Sequence, residues 1–274
     1  MSVYNPTIPL RYEAKYHLTP DQAYALQQEF PPWCTADPMS RDGGYELSSL
    51  YLDGPHLPLY RDTRQQRARR YKLRVRRYQN NQLFAEVKSR IKSMIVKTRI
   101  PLNEEEWPNI WLHPSPEKEA RFIQSPRLYK EWNTFVTLAL KIQARPTVVV
   151  RYRRQAWISE IDEYARITLD SHLKATLATD GQIPLFDEEA VPYGGWSAFD
   201  LGQRFSHGSS GVILELKSEK RIPIWMQDLV RRFGLKWQGF SKYCGALETV
   251  YPLRLNSISD QLNDRFSTST FREV

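Results

Sequence analysis

Residues 70–78 read RYKLRVRRY. Side chains two apart on a strand share a face. Lys72, Arg74 and Arg76 therefore line one side of this stretch, and Tyr71, Leu73 and Val75 the other. The neighbouring stretches repeat the division. In 82–91 (QLFAEVKSRI), Glu86, Lys88 and Arg90 oppose Ala85 and Val87, and in 94–101 (MIVKTRIP), Lys97 and Arg99 oppose Val96 and Ile100. The pattern returns with Glu13 and Lys15 in 8–17, Tyr152 and Arg154 in 146–157, Arg166 and Thr168 in 164–170, and Glu215 and Lys217 in 211–218. With 45–53 (YELSSLYLD) this makes eight expected strands.

Four helices are expected between them. Thr19-Pro20-Asp21-Gln22 combines an N-cap, a proline at the first helical position and a capping-box Gln, opening a helix to about Phe30. Trp132, Phe135, Leu138 and Ile142 recur at helical spacing over 128–142, and a short helix over 116–124 precedes it. Pro223 starts a helix through Phe233, which Gly234 stops. Segments 31–44, 102–115 and 175–210 read as loops, the last long enough to serve as a flap over a site. The tail after Leu255 is polar and aperiodic. One domain over 1–255 with a tail at 256–274 accounts for the chain. The fold class is α+β: eight antiparallel strands with flanking helices suit a closed β-barrel, and an open two-layer sheet is the alternative.

The composition, 41% apolar and 26% charged, is that of a folded globular protein. No run of 18 apolar residues predicts a transmembrane helix, and the N-terminus does not read as a secretory signal. Two cysteines, Cys34 and Cys244, form neither a disulfide framework nor a metal cluster, which predicts free thiols in a reducing cytoplasm. The formal charge of +8 calls for an acidic partner.

The position of the charges narrows that partner. A sheet with one solvated face would show the same alternation. Exposed faces mix signs, however, because like charges across a sheet repel. Here the aligned positions are mainly Lys and Arg on strand after strand, an arrangement an anion must neutralise. Duplex nucleic acid needs a convex patch or an inserted helix. Cationic faces converging inside a barrel suit a thin polyanion of repeated phosphates instead, gripped by Arg forks and Lys point charges. The five histidines are scattered without metal or triad spacing, and the eight tryptophans sit mostly at element ends as packing residues.

The order of motifs resembles one family. YEAKY, SLYLD, KLRVRRY, AEVKS followed by VKTR, VRYRRQAW, ARITLD, ILELK and FSKYC run in the order found in the vacuolar transporter chaperone (VTC) domain, over residues 8–245. The resemblance implies a triphosphate tunnel metalloenzyme: an eight-stranded antiparallel barrel around a basic tunnel with a metal-binding Glu. It implies a polyphosphate polymerase that transfers the γ-phosphate of ATP to inorganic polyphosphate. Carried over motif by motif, Lys15, Arg74, Arg76, Lys88, Lys97, Arg154 and Arg166 match the tunnel's phosphate ligands. Tyr152 and Ser241 match neighbouring hydrogen-bond donors, Lys242 the basic residue of the last motif, and Glu215 the ligand of Mn²⁺ or Mg²⁺.

These assignments give a mechanism as an expectation. Lys15, Arg74, Arg76, Arg154 and Lys242 act at the transferring phosphoryl group of ATP or another nucleoside triphosphate, while Lys88, Lys97 and Arg166 hold the growing chain. The acceptor is already an anionic oxygen and needs no base; were it water, Glu13 or Glu86 would be candidates. Plainer readings stand beside these. Glu215 could pair with an Arg, Glu13 and Glu86 could orient tunnel cations, Tyr152 could be a wall residue, and Ser241 could cap a turn. In WQGFSKY, Gly239 stands where the family's catalytic subunit carries a further basic residue, with Lys236 three residues earlier. A triphosphatase and a non-catalytic polyphosphate-binding module are the alternatives. No nucleic-acid partner and no membrane segment are expected.

Overall fold

Alternation along the strands becomes one antiparallel sheet. The computed structural model describes residues 11–251 apart from 41, 92–93, 104–121, 123, 163, 179–196, 199–210 and 220. In chain order its elements are β1 (Arg11–Leu18), α1 (Pro20–Gln27), β2 (Cys34–Ala36), β3 (Tyr45–Asp53), α2 (Pro58–Arg64), β4 (Arg69–Tyr78), β5 (Leu83–Ile91) and β6 (Met94–Leu102). There follow α3 (Pro126–Lys141), β7 (Arg145–Ser159), β8 (Ala165–Leu177), β9 (Ser197–Ala198), β10 (Val212–Glu219), α4 (Ile224–Arg232) and α5 (Lys242–Val250).

The hydrogen-bonded path runs β1-β10-β8-β7-β3-β4-β5-β6, with β2 added on β7 and β9 on β8. All eight expected strands lie on this path. The expected closed barrel is not completed by backbone hydrogen bonds, because β1 and β6 are its two ends among the described residues. The free edge of β1 is met instead by a strap: Trp237 bridges Tyr16, and Gln238 N donates to Lys15 O at 3.1 Å. Strong curvature is nonetheless required. In a flat sheet β1 and β5 would lie ~29 Å apart at one strand spacing per step. Yet Lys88 of β5 donates to Glu13 of β1 at 2.9 Å.

Helices cover the outer side of the curl. On β1, β10 and β8, the apolar set Tyr16, Leu18, Ile167, Leu169, Leu214 and Leu216 packs under Leu26 of α1 and Trp225, Met226 and Leu229 of α4. On β4, β5 and β6, Leu73, Val75, Ala85, Val87 and Ile100 belong to the cluster holding Trp132, Phe135 and Ala139 of α3. Burying an aliphatic or aromatic side chain in this way stabilises by about 1.5–3 kcal/mol each.

Local signals explain the helix ends. Thr19 Oγ1 accepts from Gln22 N and Gln22 Oε1 from Thr19 N, so the capping box on α1 is complete, and α1 ends at Gln27. After α4, Gly234 at φ 57° lets its own N–H reach Arg231 O while Leu235 N reaches Val230 O, the two bonds of a Schellman stop. The expected short helix over 116–124 falls almost wholly outside the described residues, as do the tail and most of 175–210. Where 175–210 is described it is strand apart from Ala178: β8 runs on to Leu177, and β9 pairs with it.

Strand β2 lies within the expected loop 31–44. Two helices, α2 and α5, were not expected either, and both shape the interior. The Asp53 carboxylate accepts from Gly54 N, Leu59 N and Tyr60 N, anchoring α2 to the end of β3, and also from Tyr243 Oη on α5. α5 packs inside the curl, with Tyr243 stacked on Tyr51 at 5.0 Å and Leu247 in the cluster of Leu173 and Ala175. A bulge in β8 makes this packing possible. Arg153 faces Ser171 but Arg151 faces Lys174, and the extra residue, His172, adopts φ 54°. The slip changes the phase of β8, so that Asp170 and, beyond the bulge, Leu173 and Ala175 share the inner face. No helix among the described residues is long and apolar enough to cross a membrane.

Candidate functional site

Register places the charged positions together. Glu13 faces Lys217, which faces Arg166; Lys15 faces Glu215; Arg154 faces Asp170; Arg74 faces Glu86, which faces Arg99; and Lys72 faces Lys88, which faces Lys97. These residues form one inner face whose centre is not a solvated surface: Arg76 is 4% exposed, Glu86 1%, Asp170 0%, Glu215 5% and Lys242 7%, while Lys88, Lys97 and Arg99 on β5 and β6 are more open. Charges this deep must be paired.

Three buried carboxylates organise the cations. Glu86 sits 2.6 Å from Arg74 Nε and 2.7 Å from Lys97 Nζ, with Arg99 Nε at 3.4 Å and Arg76 Nη1 at 3.9 Å. Asp170 takes two parallel bonds from Arg154, at 2.6 and 2.7 Å, and an ion pair from Lys242 at 2.5 Å. Glu215 lies 2.6 Å from Lys217, 3.0 Å from Lys15, 3.4 Å from Lys242 and 3.8 Å from Arg154. Burial works against all three charges. Arg74 and Arg76 hold Glu86 well below the usual carboxylate range, and Lys15 and Lys217 do so for Glu215. Arg154 and Lys242 hold Asp170 at about 2.

A fourth carboxylate links the two ends of the sheet. Glu13 accepts from Lys88 and lies 3.6 Å from Lys15. Burial opposes its charge, but Lys88 and Lys15 outweigh burial and the nearby Glu215, holding it at about 2. Burial likewise opposes the Lys15 ammonium, yet Glu215 and Glu13 keep it above its ordinary range. Glu13 and Glu86 are thus each paired with Lys and Arg side chains of the inner face.

The remaining expected residues complete the wall. Tyr152 Oη accepts from Arg76 Nη2 at 3.1 Å, Arg76 Nε donates to Ser49 Oγ, and the guanidinium of Arg154 and ammonium of Lys242 lie over the Tyr152 ring. Tyr152 Oη is the acceptor in that bond, so the hydroxyl can still donate. Ser241 caps α5, accepting from Cys244 N, and accepts again from Lys72 Nζ at 2.8 Å. Arg166 pairs with Asp37 at 2.8 Å and stands at the margin of the group. Gly239 lies on the strap beside Phe240, whose carbonyl accepts from Lys15 Nζ at 3.4 Å. Arg231 and Arg232 lie on the outer side, with Asp228 and Glu29.

Asp170 was not singled out from sequence, because its neighbours in ARITLD gave no sign that a cross-strand Arg154 would face it. Lys72 and Lys217 were visible as members of cationic faces. Their individual surroundings were not, since these depend on α5 and β1.

The donors present bear on a metal. Among the described residues no group of three or more His, Cys, Asp and Glu side chains converges. Glu215 and Glu13 stand on adjacent strands around one ammonium, that of Lys15. This fits a hard divalent ion that takes one or two carboxylates and completes its shell from phosphate and water. A separate cleft of about 970 Å³, lined by Tyr12, Trp33, Ile222, Ile224 and Trp225, lies on the outer side and takes no part in the inner face.

A family model described as the VTC domain matches residues 10–251. Among curated proteins none matches. Solved structures similar to the chain include a putative adenylate cyclase from Bacillus halodurans, 12% identical, with 85% of this chain and 94% of that one covered and a TM-score of 0.47. Another is a putative adenylyl cyclase from Hippeastrum, described as having a dominant triphosphatase activity: 13% identical, 84% and 92% covered, TM-score 0.45. The PH1819 protein from Pyrococcus horikoshii is 10% identical, with 86% and 99% covered and a TM-score of 0.39.

Proposed function

The chain belongs to the VTC domain family, and from that premise we propose that it is a nucleotide-dependent polyphosphate polymerase. One observation carries the reading. Arg and Lys side chains from β1, β4, β5, β7, β10 and α5, buried or half-buried, and the more open Lys97 of β6 gather on one face of a curled sheet, in excess of the carboxylates between them. A flexible chain of phosphates supplies the missing charge without requiring a base-reading surface.

In this reading Arg74, Arg76, Arg154, Lys15 and Lys242 hold the γ-phosphoryl group of ATP or another nucleoside triphosphate. Lys88, Lys97 and Arg166 hold the polyphosphate chain, and Tyr152 and Ser241 add hydrogen bonds. The acceptor's terminal oxygen forms a bond to the γ-phosphorus as the bond from that phosphorus to the β–γ bridging oxygen breaks. ADP leaves with the electron pair. No proton has to move, so positioning and charge neutralisation supply the catalysis. Asp170 and Glu86 serve by fixing Arg154 and Arg74 in place. Glu215, with Glu13 beside it, would hold Mg²⁺ or Mn²⁺, which when bound neutralises phosphate charge. Free buried thiols at Cys34 and Cys244 suit a reducing, ATP-containing compartment such as the cytoplasm.

The position of Glu13 favours a second reading, a metal-dependent triphosphatase. In that reading Glu13, next to Glu215 across Lys15, would take the proton of an attacking water once Lys88 leaves it for phosphate. Incubation with ATP and Mn²⁺, reading polyphosphate on a gel beside ADP and free phosphate, separates the two. Polymer with stoichiometric ADP, lost in Glu215→Ala and Arg74→Ala, supports the polymerase. Phosphate without polymer selects the triphosphatase. Tight polyphosphate binding with neither product leaves a binding module.

A further inference from the structure

Lys72 on β4, Lys88 on β5 and Lys97 on β6 face one another directly across adjacent strands. Like charges so placed repel. Two of the three have carboxylates close by: Glu13 at 2.9 Å from Lys88 and Glu86 at 2.7 Å from Lys97. Lys72 has none among the described residues. Its Nζ donates to Ser241 Oγ, a neutral hydroxyl already engaged as the cap of α5. The charged groups around it are Arg74 on its own strand, Lys88 on β5 and Lys15 on β1, with the Cys244 thiol the titratable neighbour on α5. A partly buried cation among cations, held by one hydroxyl, is placed for an anion that arrives from outside.

We propose that Lys72, to which the family resemblance assigns no role, is a further phosphate-binding residue, forming with Lys88 and Lys97 a three-lysine subsite for one phosphoryl group of an inorganic polyphosphate. It leaves Ser241 for a phosphoryl oxygen as the chain enters. This rests on the polyphosphate reading above.

The electrostatics add a consequence. Burial, with Lys15, Lys88 and Arg74, pushes the Lys72 ammonium down to about 7. A polyanion reverses the local field and restores the charged form. Burial lowers the Lys97 ammonium to about 7 as well, in spite of Glu86, so binding at pH 8 draws protons from solvent onto both lysines, and the share lost in Lys72 variants is that of Lys72.

Titration calorimetry with inorganic tripolyphosphate at pH 8, in two buffers of different ionisation enthalpy, reads affinity and proton uptake together. The ligand's own protonation is common to all variants and cancels in the comparison. Lys72→Met is expected to bind about tenfold more weakly or worse, with less proton uptake than the parent. Lys72→Arg keeps the charge but cannot lose it at this pH; it is expected to bind within about threefold of the parent, again with reduced uptake. Should Lys72→Met fail to fold, the uptake of Lys72→Arg decides alone. Parental affinity and uptake in the variants would overturn the role of Lys72 and leave the polyphosphate reading standing. No binding by the parent would remove that reading and this one with it.

Discussion

Asp170 grips Arg154 through two parallel hydrogen bonds, Nε to Oδ1 at 2.6 Å and Nη2 to Oδ2 at 2.7 Å. The carboxylate is fully buried, and Lys242 approaches the same Oδ2. Removing the anion from such a group leaves Arg154 and Lys242 only the more distant Glu215, at 3.8 and 3.4 Å, which Lys15 and Lys217 already share. Asp170→Asn is therefore expected to lose about 3–5 kcal/mol of stability in denaturant unfolding at pH 7. The pH dependence has a definite sign. The folded carboxyl is held at about 2, below the value of 3.8 for a free side chain. Its contribution is complete above pH 4 and disappears as pH falls through 2. Parent and variant should thus converge in acid. A loss below about 1 kcal/mol at pH 7 would mean that Arg154 re-pairs with Glu215, already 3.8 Å away.

This pair also marks how far sequence reasoning reached. The eight strands and their two faces were legible because β4 to β6 mostly alternate: Lys72, Arg74 and Arg76, Glu86 and Lys88, and Lys97 and Arg99 repeat at the period of the pleat, with Arg77 the exception on β4. Asp170 was hidden because its importance depends on register: only when β7 pairs with β8 does Arg154 come opposite it. The bulge at His172 and helix α5 left weaker traces still. Nothing local requires a left-handed residue at His172, and α5 has nine residues with Gly245 inside, a poor helix former. Closure of the barrel was inferred from strand count, which cannot say what happens at the seam between β1 and β6.

Tyr152 separates a wall from a ligand. Its oxygen accepts from Arg76 Nη2 at 3.1 Å, which leaves the phenolic proton free. Tyr152→Phe preserves the ring under Arg154 and Lys242 but deletes that hydroxyl. If the hydroxyl donates to phosphate, tripolyphosphate affinity falls about five- to tenfold. An unchanged affinity, with stability lowered by about 1–3 kcal/mol for the orphaned Arg76 donor, would make Tyr152 a wall residue.

Lys72 also predicts how stability without ligand responds to alkali. Its folded value of about 7 lies below the 10.5 of a free lysine. Between those limits the unfolded chain binds the extra proton, so stability rises with pH across that window. Below pH 7 the ammonium is charged in both states, and the folded protein bears the full cost of burying it. Lys72→Met removes this dependence. The difference in melting temperature between variant and parent should be largest at pH 6 and shrink towards pH 10, with the variant the more stable at the acid end. A difference independent of pH would show that Lys72 titrates as an ordinary surface lysine.

Gly239 offers a gain-of-function test. It lies on the strap between Gln238, whose N–H donates to Lys15 O, and Phe240, whose carbonyl accepts from Lys15 Nζ. A Cβ built on it meets only the Trp237 ring, at 4.0 Å, and its φ is outside the left-handed region, so the backbone accepts a side chain without strain. The position is exposed, and substitution should change stability by no more than about 0.5 kcal/mol. Gly239→Lys places a further ammonium beside Lys15, where it can meet a phosphate entering along the strap. Tighter tripolyphosphate binding, by about three- to tenfold at low salt and less at high salt, is expected. If the proposed polymerase is limited by capture of the anion, product per unit time at low ATP rises with it. An affinity unchanged at low salt would place Gly239 off the path of the anion. Its difference from the family's basic residue would then have no bearing on phosphate binding.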